Sequence, residues 1–264
     1  MIRLLVFDVD GTLYDMKHHE IPASCRQAIA QAKAAGIRFA IATGRTHYAL
    51  GKALNDLKPD YILGVNGAVV ARGDGTVLAR QDFSGDQVRQ VNDFCRRHQA
   101  GLAWKFIDHV YLYQHPEKID WLVPQMNSDV GHEPFVFCPT QDHHLLDLPQ
   151  SASVHADPEA VAREFSNSAS LSFLPYSHDG FDVVLKGVDK GRGLRVLMQQ
   201  LGLRREETAA FGDNRNDLEM LAAAGTAVAM GNAIEEVKAA ADWVTAPTWE
   251  NGIALALRKL GCIQ

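Results

Sequence analysis

Paired cysteines are missing from this 264-residue sequence: Cys25, Cys95, Cys138 and Cys262 lie far apart and form no CxxC. That spacing argues against a disulfide framework or a cysteine zinc site and leaves reduced thiols used for packing. Basic charge is also scarce, with 26 Lys and Arg against 32 Asp and Glu and a net charge of −6. A mildly acidic surface offers no footprint for nucleic acid or an anionic membrane. No apolar run is long enough to span a bilayer, and Arg3 breaks the apolar start, so neither a secretory signal nor a membrane anchor is expected. These absences predict a cytoplasmic protein, and nothing in the pattern fixes an oligomeric state.

What is present is ordinary globular composition, 47% hydrophobic and 22% charged, with length enough for one large or two medium domains. "IRLLVF" is a short apolar run of the kind that forms a strand buried on both faces. "PASCRQAIAQAKAAG" reads as a helix, with Pro22 near its start and Gly36 at its end. "IRFAIATG" reads as a second strand, "HYALGKALNDL" as a helix and "DYILGVNGA" as a third strand. This alternation predicts right-handed crossovers and a parallel sheet.

From about Phe83 to His178 the chain becomes richer in His, Trp, Tyr and Pro. "DQVRQVNDFCRRH" carries Val88, Val91, Phe94 and Cys95 on one helical face. "LAWKF", "VYLYQ" and "SLSFLPYS" read as strands and "PEAVAREFSN" as a helix, which is α+β material. The α/β alternation returns at "DVVLKGVDKGRGLRVLMQQLG", where Gly202 ends a helix. "TAAFGD", "TAVAMG" and "WVT" follow as further strands. The expected organisation is therefore an α/β core, 1–83 and 181–264, interrupted by an inserted domain, 84–180. Asp82–Asp86 and Ser177–Gly180 are the expected paired hinges.

Polar groups cluster where the predicted strands end. These are "DVD" after the first strand, "TGR" after the second, "NGA" after the third and "GDNRND" after a late strand, with Lys190 at a helix start in "VDKGRG". In an open parallel sheet the carboxyl ends of the strands carry function. Asp8, Asp10 and Asp213 brought together would raise one another's pKa unless a cation joined them. Oxygen-only ligands suit a hard ion, Mg²⁺ where phosphate is also bound. Thr43 and Gly44 offer a hydroxyl and an open backbone N–H, and Lys190 a compact charge beside a helix N-terminus, all suited to phosphate. One aspartate then serves as nucleophile and the other as general acid and base.

"DVDGT", "ATGR", "NGA", Lys190, "GDNRND" and "AMGNA", in this order, resemble the haloacid dehalogenase (HAD) superfamily phosphatases of the Cof type, subfamily IIB. Their Rossmann-like core carries an inserted α+β cap. The paired DxDGT and GDxxND carry most of the signal; "TGR" or "NGA" alone would be weak. Asn251 stands where the family usually has an acidic residue. The resemblance implies that Asp8 attacks phosphorus and that Asp10 protonates the leaving alcohol and later activates water. It implies Mg²⁺ at Asp8, the Asp10 carbonyl and Asp213, with Asp217 supporting them. Val9, Thr43, Gly44, Lys190 and Asn216 would cradle the phosphoryl oxygens. The implied activity is Mg²⁺-dependent hydrolysis of small phosphorylated metabolites, such as sugar phosphates or phosphorylated cofactors, through a phosphoaspartate. The inserted domain would choose the leaving group.

Other readings compete. An isolated DxD would be a strand end turning into solvent, and Thr43 a simple helix N-cap. Arg45 is as well placed for a surface salt bridge as for substrate contact, and the competing reading of Asn66 is a turn residue. Lys186 competes with Lys190 for the phosphate role. His18-His19 and His143-His144 invite a zinc reading, but adjacent histidines face different ways, and surface loops are expected. Trp104, Phe106, Tyr111, Tyr113 and Trp121 are expected in the core of the insertion. Asp10 and Asp213 argue against a dehalogenase, whereas a phosphomutase and a non-catalytic phosphometabolite sensor remain alternatives.

Overall fold

The computed structural model describes residues 1–119 and 135–264. Its strands in chain order are β1 Leu4–Asp8, β2 Arg38–Ala42, β3 Tyr61–Gly64, β4 Val69–Arg72, β5 Val77–Arg80, β6 Gly101–Lys105 and β7 Val110–Gln114. Then come β8 Phe135–Phe137, β9 Ser151–His155, β10 Leu171–Pro175, β11 Gly180–Leu185, β12 Thr208–Gly212, β13 Thr226–Ala229 and β14 Trp243–Val244. They form an eight-stranded sheet, order β14-β13-β12-β1-β2-β3-β4-β5, and a six-stranded sheet, order β10-β11-β9-β6-β7-β8. The chain divides into two compact units. One holds Met1–His47, Ala53–Ala79 and Asp189–Gln264, the other Tyr48–Lys52 and Arg80–Val188.

In the first unit β1 lies between β12 and β2 and runs parallel to both. A central strand is shielded on both faces, so β1 is apolar at every position until its last: Leu4, Leu5, Val6 and Phe7 are buried. Phe7 stacks on Phe211 of β12 at 4.3 Å between ring centres. The helix Lys190–Leu201 buries Leu194, Leu197 and Met198 against Leu4, Val6, Ala40 and Leu63. It ends on Gly202, whose left-handed backbone closes the last turn. At its other end a Cβ on Gly191 would lie 2.2 Å from the Glu219 carbonyl oxygen, and one on Gly193 would lie 2.9 Å from Gly67 Cα. The two glycines of "KGRG" therefore let the helix start lie directly on two neighbouring loops.

One local expectation changes and one segment left unread takes form. "HYALGKALNDL" yields only the short helix Lys52–Asn55, because Gly51 sits where a longer helix would need a helix former. "VVARGDGTVLAR" folds as the antiparallel extension β4-β5, turning through Asp74 and Gly75 (φ +88°). Asp74-Gly75 between two short apolar runs is a hairpin signal that a parallel-sheet reading passes over.

The second unit packs the helices Gly85–His98 and Pro158–Phe165 on its sheet. Phe94 meets Phe165 and Phe173 edge to face. Trp104 is fully buried and donates its indole N–H to Asn92 Oδ1 at 2.9 Å. Phe106 and Tyr113 are buried, whereas Tyr111 is half-buried and stacks on His143. Trp121 lies outside the described residues.

Strand β11 departs from the expected boundary at 181. It pairs with β9 and β10, so 181–188 belong to the second unit. A buried apolar run shows that a strand exists but carries no mark of which sheet it joins. Ser177–Gly180 is accordingly a hairpin turn between β10 and β11, fixed by Gly180 N–H on Ser177 Oγ at 2.9 Å, and not a hinge. The chain passes between units at 47–48, 52–53, 79–80 and 188–189.

Candidate active site

The strand ends β1, β2, β3 and β12 lie side by side along the first sheet, because β12, β1, β2 and β3 are consecutive parallel neighbours. Asp8 is the last residue of β1, in register with Ala42 of β2, and is 7% exposed. Asp213 and Asp217 follow β12. Asp8, Asp213 and Asp217 each present a carboxylate oxygen, and these oxygens all lie within 4.8 Å of one another. Among the described residues this is the only His, Cys, Asp or Glu cluster with the geometry to hold a metal ion.

Lys190 joins two of the three. Its buried ammonium donates to Asp8 Oδ1 and, at 2.6 Å, to Asp217 Oδ1. Burial alone would lower the pKa of this lysine, but the charges of Asp217 and Asp8 outweigh burial and hold it above its usual value. The remaining oxygen of Asp217 accepts from the backbone N–H groups of Asp213 (3.0 Å) and Asn214 (3.1 Å). Gly212 makes room for that bracket, since a Cβ there would lie 2.5 Å from Asp217 Cβ.

Asp8 and Asp213 are pushed the other way. Burial and then the charge of Asp217 raise the Asp8 carboxyl well above the carboxylate range, with Lys190 offsetting part of the rise. Burial and Asp217 raise the Asp213 carboxyl to about 6, against a hydrogen bond from Thr12. That bond, Thr12 Oγ1 to Asp213 Oδ1, is 2.8 Å long. Gly11 (φ +95°) brings the loop close, because a Cβ there would lie 2.2 Å from Asp213 Oδ2.

Asp10 is different: its side chain is 43% exposed, and Arg45 Nη2 donates to both its oxygens, at 3.1 and 3.3 Å. Thr43 is buried beside it in sequence order after β2. Its carbonyl accepts from Asn66 N–H (2.9 Å) and its hydroxyl from Arg45 N–H (3.2 Å). Val65, Asn66 and Gly67 all have positive φ, a strained arrangement for the first two. A Cβ on Gly44 would come within 3.3 Å of the Asn66 amide, and Asn216 Nδ2 reaches Asn66 Oδ1 at 3.4 Å.

Comparison with known proteins supplies the family. The model of the haloacid dehalogenase-like hydrolases matches residues 5–257. The chain belongs to that family. Its place is among the family's phosphatases. The pyridoxal phosphate phosphatase YbhA of Escherichia coli is 30% identical over 271 residues, 96% of each chain. A solved HAD subclass IIB sugar phosphatase superposes with a TM-score of 0.83 at 29% identity, over 99% of this chain and all of that one. A putative bifunctional phosphatase/peptidyl-prolyl cis-trans isomerase of Streptococcus pyogenes is 29% identical over the whole chain, which spans 55% of that protein's length.

Within this HAD-like hydrolase Asp8, Lys190, Asp213 and Asp217 converge, and Thr43, Gly44, Asn66 and Asn216 share a second contact group. Val9 is buried behind Asp8. Lys186 is exposed and bonded to the Ser168 carbonyl in the second unit, away from the role that Lys190 fills. His18 pairs with Asp15, and His144 with the Tyr113 hydroxyl, so these histidines have non-metal partners. The Arg45–Asp10 pair and the Thr12–Asp213 bond escape sequence reading, because both join residues from different motifs. No helix among the described residues is long and apolar enough to cross a membrane.

Proposed function

We propose that this chain is a Mg²⁺-dependent phosphomonoesterase of small phosphorylated metabolites, working through a phosphoaspartate on Asp8. The observation that carries the reading is the buried Asp8–Lys190–Asp217 bridge beside Asp213. Burying three carboxyls against one ammonium leaves excess negative charge, and raised Asp8 and Asp213 pKa values are its signature. A hard cation bound by oxygen ligands relieves that excess, so the residues present fit Mg²⁺. Asp8, Asp213 and the Asp10 carbonyl would hold it, and Asp217, engaged with Lys190 and two N–H groups, would fix Asp213 from behind. When bound, the ion neutralises charge on the phosphoryl oxygens.

The protein groups then divide the chemistry. An Asp8 oxygen attacks phosphorus in line with the leaving alcohol, while Lys190, the Val9 N–H, Thr43, Gly44 and Asn216 balance the equatorial oxygens. Asp10 delivers a proton to the leaving oxygen and afterwards takes one from the water that cleaves the acyl phosphate. Arg45 holds Asp10 at the mouth of this group. The substrate class follows the relatives: pyridoxal phosphate, sugar phosphates and 5-amino-6-(5-phospho-D-ribitylamino)uracil are all small phosphate esters. Because every group needed for turnover is present, hydrolysis is favoured over a silent sensor.

The test is phosphate release from a panel of such esters, with and without Mg²⁺, for the wild type and Asp8→Asn. Release that requires both Mg²⁺ and Asp8 supports the reading. Metal-independent release, or full activity in Asp8→Asn, overturns it.

A further inference from the structure

Asp8 has a sheet to hold it, but Asp10 does not. Asp8 is the last residue in the ladder with β2, and Asp10 lies two residues beyond it. Gly11, next in the chain, has φ +95°, where glycine moves between backbone states at little cost. The turn that follows Asp8 is held locally by Thr12 N–H and Tyr14 N–H on the Val9 carbonyl and by the Asp10–Tyr14 bridge, and the Gly11 carbonyl takes its partners from elsewhere.

Two side chains from far along the sequence are those partners. Asn232 Nδ2 donates to the Gly11 carbonyl at 2.8 Å, and Thr248 Oγ1 donates to the same oxygen at 2.6 Å. Both lone pairs of that carbonyl are therefore used. The Thr248 backbone N–H donates to Asn232 Oδ1 at 3.0 Å, which assigns the amide oxygen and leaves its NH₂ to face Gly11. On the other side of the residue, Gly11 N–H donates to the Tyr14 carbonyl at 2.9 Å. The loops bearing the two side chains are themselves pressed together: Gly231 N–H bonds the Ala246 carbonyl, and a Cβ on Gly231 would lie 2.5 Å from Pro247 N. Thr248 is 3% exposed, so its hydroxyl has little access to water as an alternative partner.

We infer that Asn232 and Thr248 are positioning residues for Asp10, clamping the Gly11 carbonyl so that the Asp10 carboxyl meets the leaving oxygen. The inference rests on the phosphatase reading above. Its physical basis is that proton transfer demands placement within hydrogen-bond reach, and small displacements are costly in rate. The clamp touches neither substrate nor metal directly, but the Asp10 carbonyl that would hold the ion lies on the same stretch, so its loss should slow both esters and the alkyl ester, which needs the proton, by more.

That gives a readout separable from structural damage. An alkyl phosphate needs its leaving oxygen protonated, whereas an aryl phosphate with an acidic phenol does not. Single-turnover formation of the phosphoenzyme would be followed for both esters in the wild type, Asn232→Ala, Thr248→Val, Thr248→Ser and Asp10→Asn. The expected result is a loss of roughly 10–100-fold on the alkyl ester for Asn232→Ala and Thr248→Val, with a much smaller loss on the aryl ester. Asp10→Asn should show the same asymmetry more strongly, and Thr248→Ser, which keeps the hydroxyl, should restore most of the rate. Equal losses on the two esters, no loss in folded protein, or failure of Thr248→Ser to rescue would overturn the clamp. If the wild type forms no phosphoenzyme from either ester, the phosphatase reading falls and the clamp with it.

Discussion

Lys190 is the residue on which the buried charges of the first unit balance. Its side chain is fully buried and touches the Asp8 and Asp217 carboxylates. Lys190→Met would keep the volume and leave both carboxyls without their counter-charge. Breaking a buried pair from one side costs about 3–5 kcal/mol. Denaturant melts in chelator near neutral pH should show a loss of that order, and a loss under about 1 kcal/mol would mean that the bridge is not formed in solution. Asp213 predicts the opposite sign. Its carboxyl titrates at about 6 in the folded chain and near the ordinary value of about 4 when unfolded. Between those values the folded state binds more protons, so metal-free stability falls as pH rises through the window. Asp213→Asn removes that penalty. In chelator it should be more stable than wild type at pH 7.5 by up to about 3 kcal/mol, with the difference shrinking toward pH 4. A difference that is absent, or that grows toward acid, would contradict the burial of Asp213 beside Asp217.

At the scale of elements, the site is assembled by close approaches that glycine permits. The helix Lys190–Leu201 starts against the Glu219 carbonyl because Gly191 has no Cβ, and this start carries Lys190 to Asp8. Gly191→Ala should force the helix outward, at about 1–3 kcal/mol of stability, and lower turnover through Lys190 as well. Urea titration with activity at the same protein concentration checks both; unchanged stability and turnover would show that the approach is looser than described.

The sequence made β1, β2 and β12 legible because strands buried on both faces are continuously apolar. It made Asp8, Asp10, Asp213 and Lys190 legible as candidates because charges at such strand ends are costly without a purpose. The β4-β5 hairpin carries a local mark, Asp74-Gly75 between two apolar runs, that the parallel-sheet reading did not use. Other features were not readable. β11 is as apolar as a core strand, and nothing in its own residues says that it joins the second sheet, beside β10 just before it and β9 more than twenty residues away. The Arg45–Asp10 pair and the hold of Asn232 and Thr248 on Gly11 join distant residues through single hydrogen bonds, for which no local pattern exists.

On the scale of the whole molecule the two units imply a division of labour. The buried charges of Asp8, Lys190, Asp213 and Asp217 lie entirely in the first unit. We propose that the second unit, with its own six-stranded sheet, chooses among leaving groups. Exchanging residues 80–188 for those of a relative with other preferences should reorder kcat/KM across a panel of phosphate esters and leave Mg²⁺ affinity almost unchanged. A folded chimaera that keeps the original ranking would place substrate choice in the first unit.

The claim beneath all of these is that phosphorus is transferred to Asp8. Rapid acid quench during turnover of a phosphate ester, followed by proteolysis and mass analysis of the peptide carrying Asp8, tests it directly. The account predicts one phosphoryl group on Asp8 in the wild type, accumulating in Asp10→Asn where its hydrolysis is slowed, and none in Asp8→Asn. Turnover with no phosphorylated peptide in Asp10→Asn, or with the phosphoryl group on another residue, would contradict it.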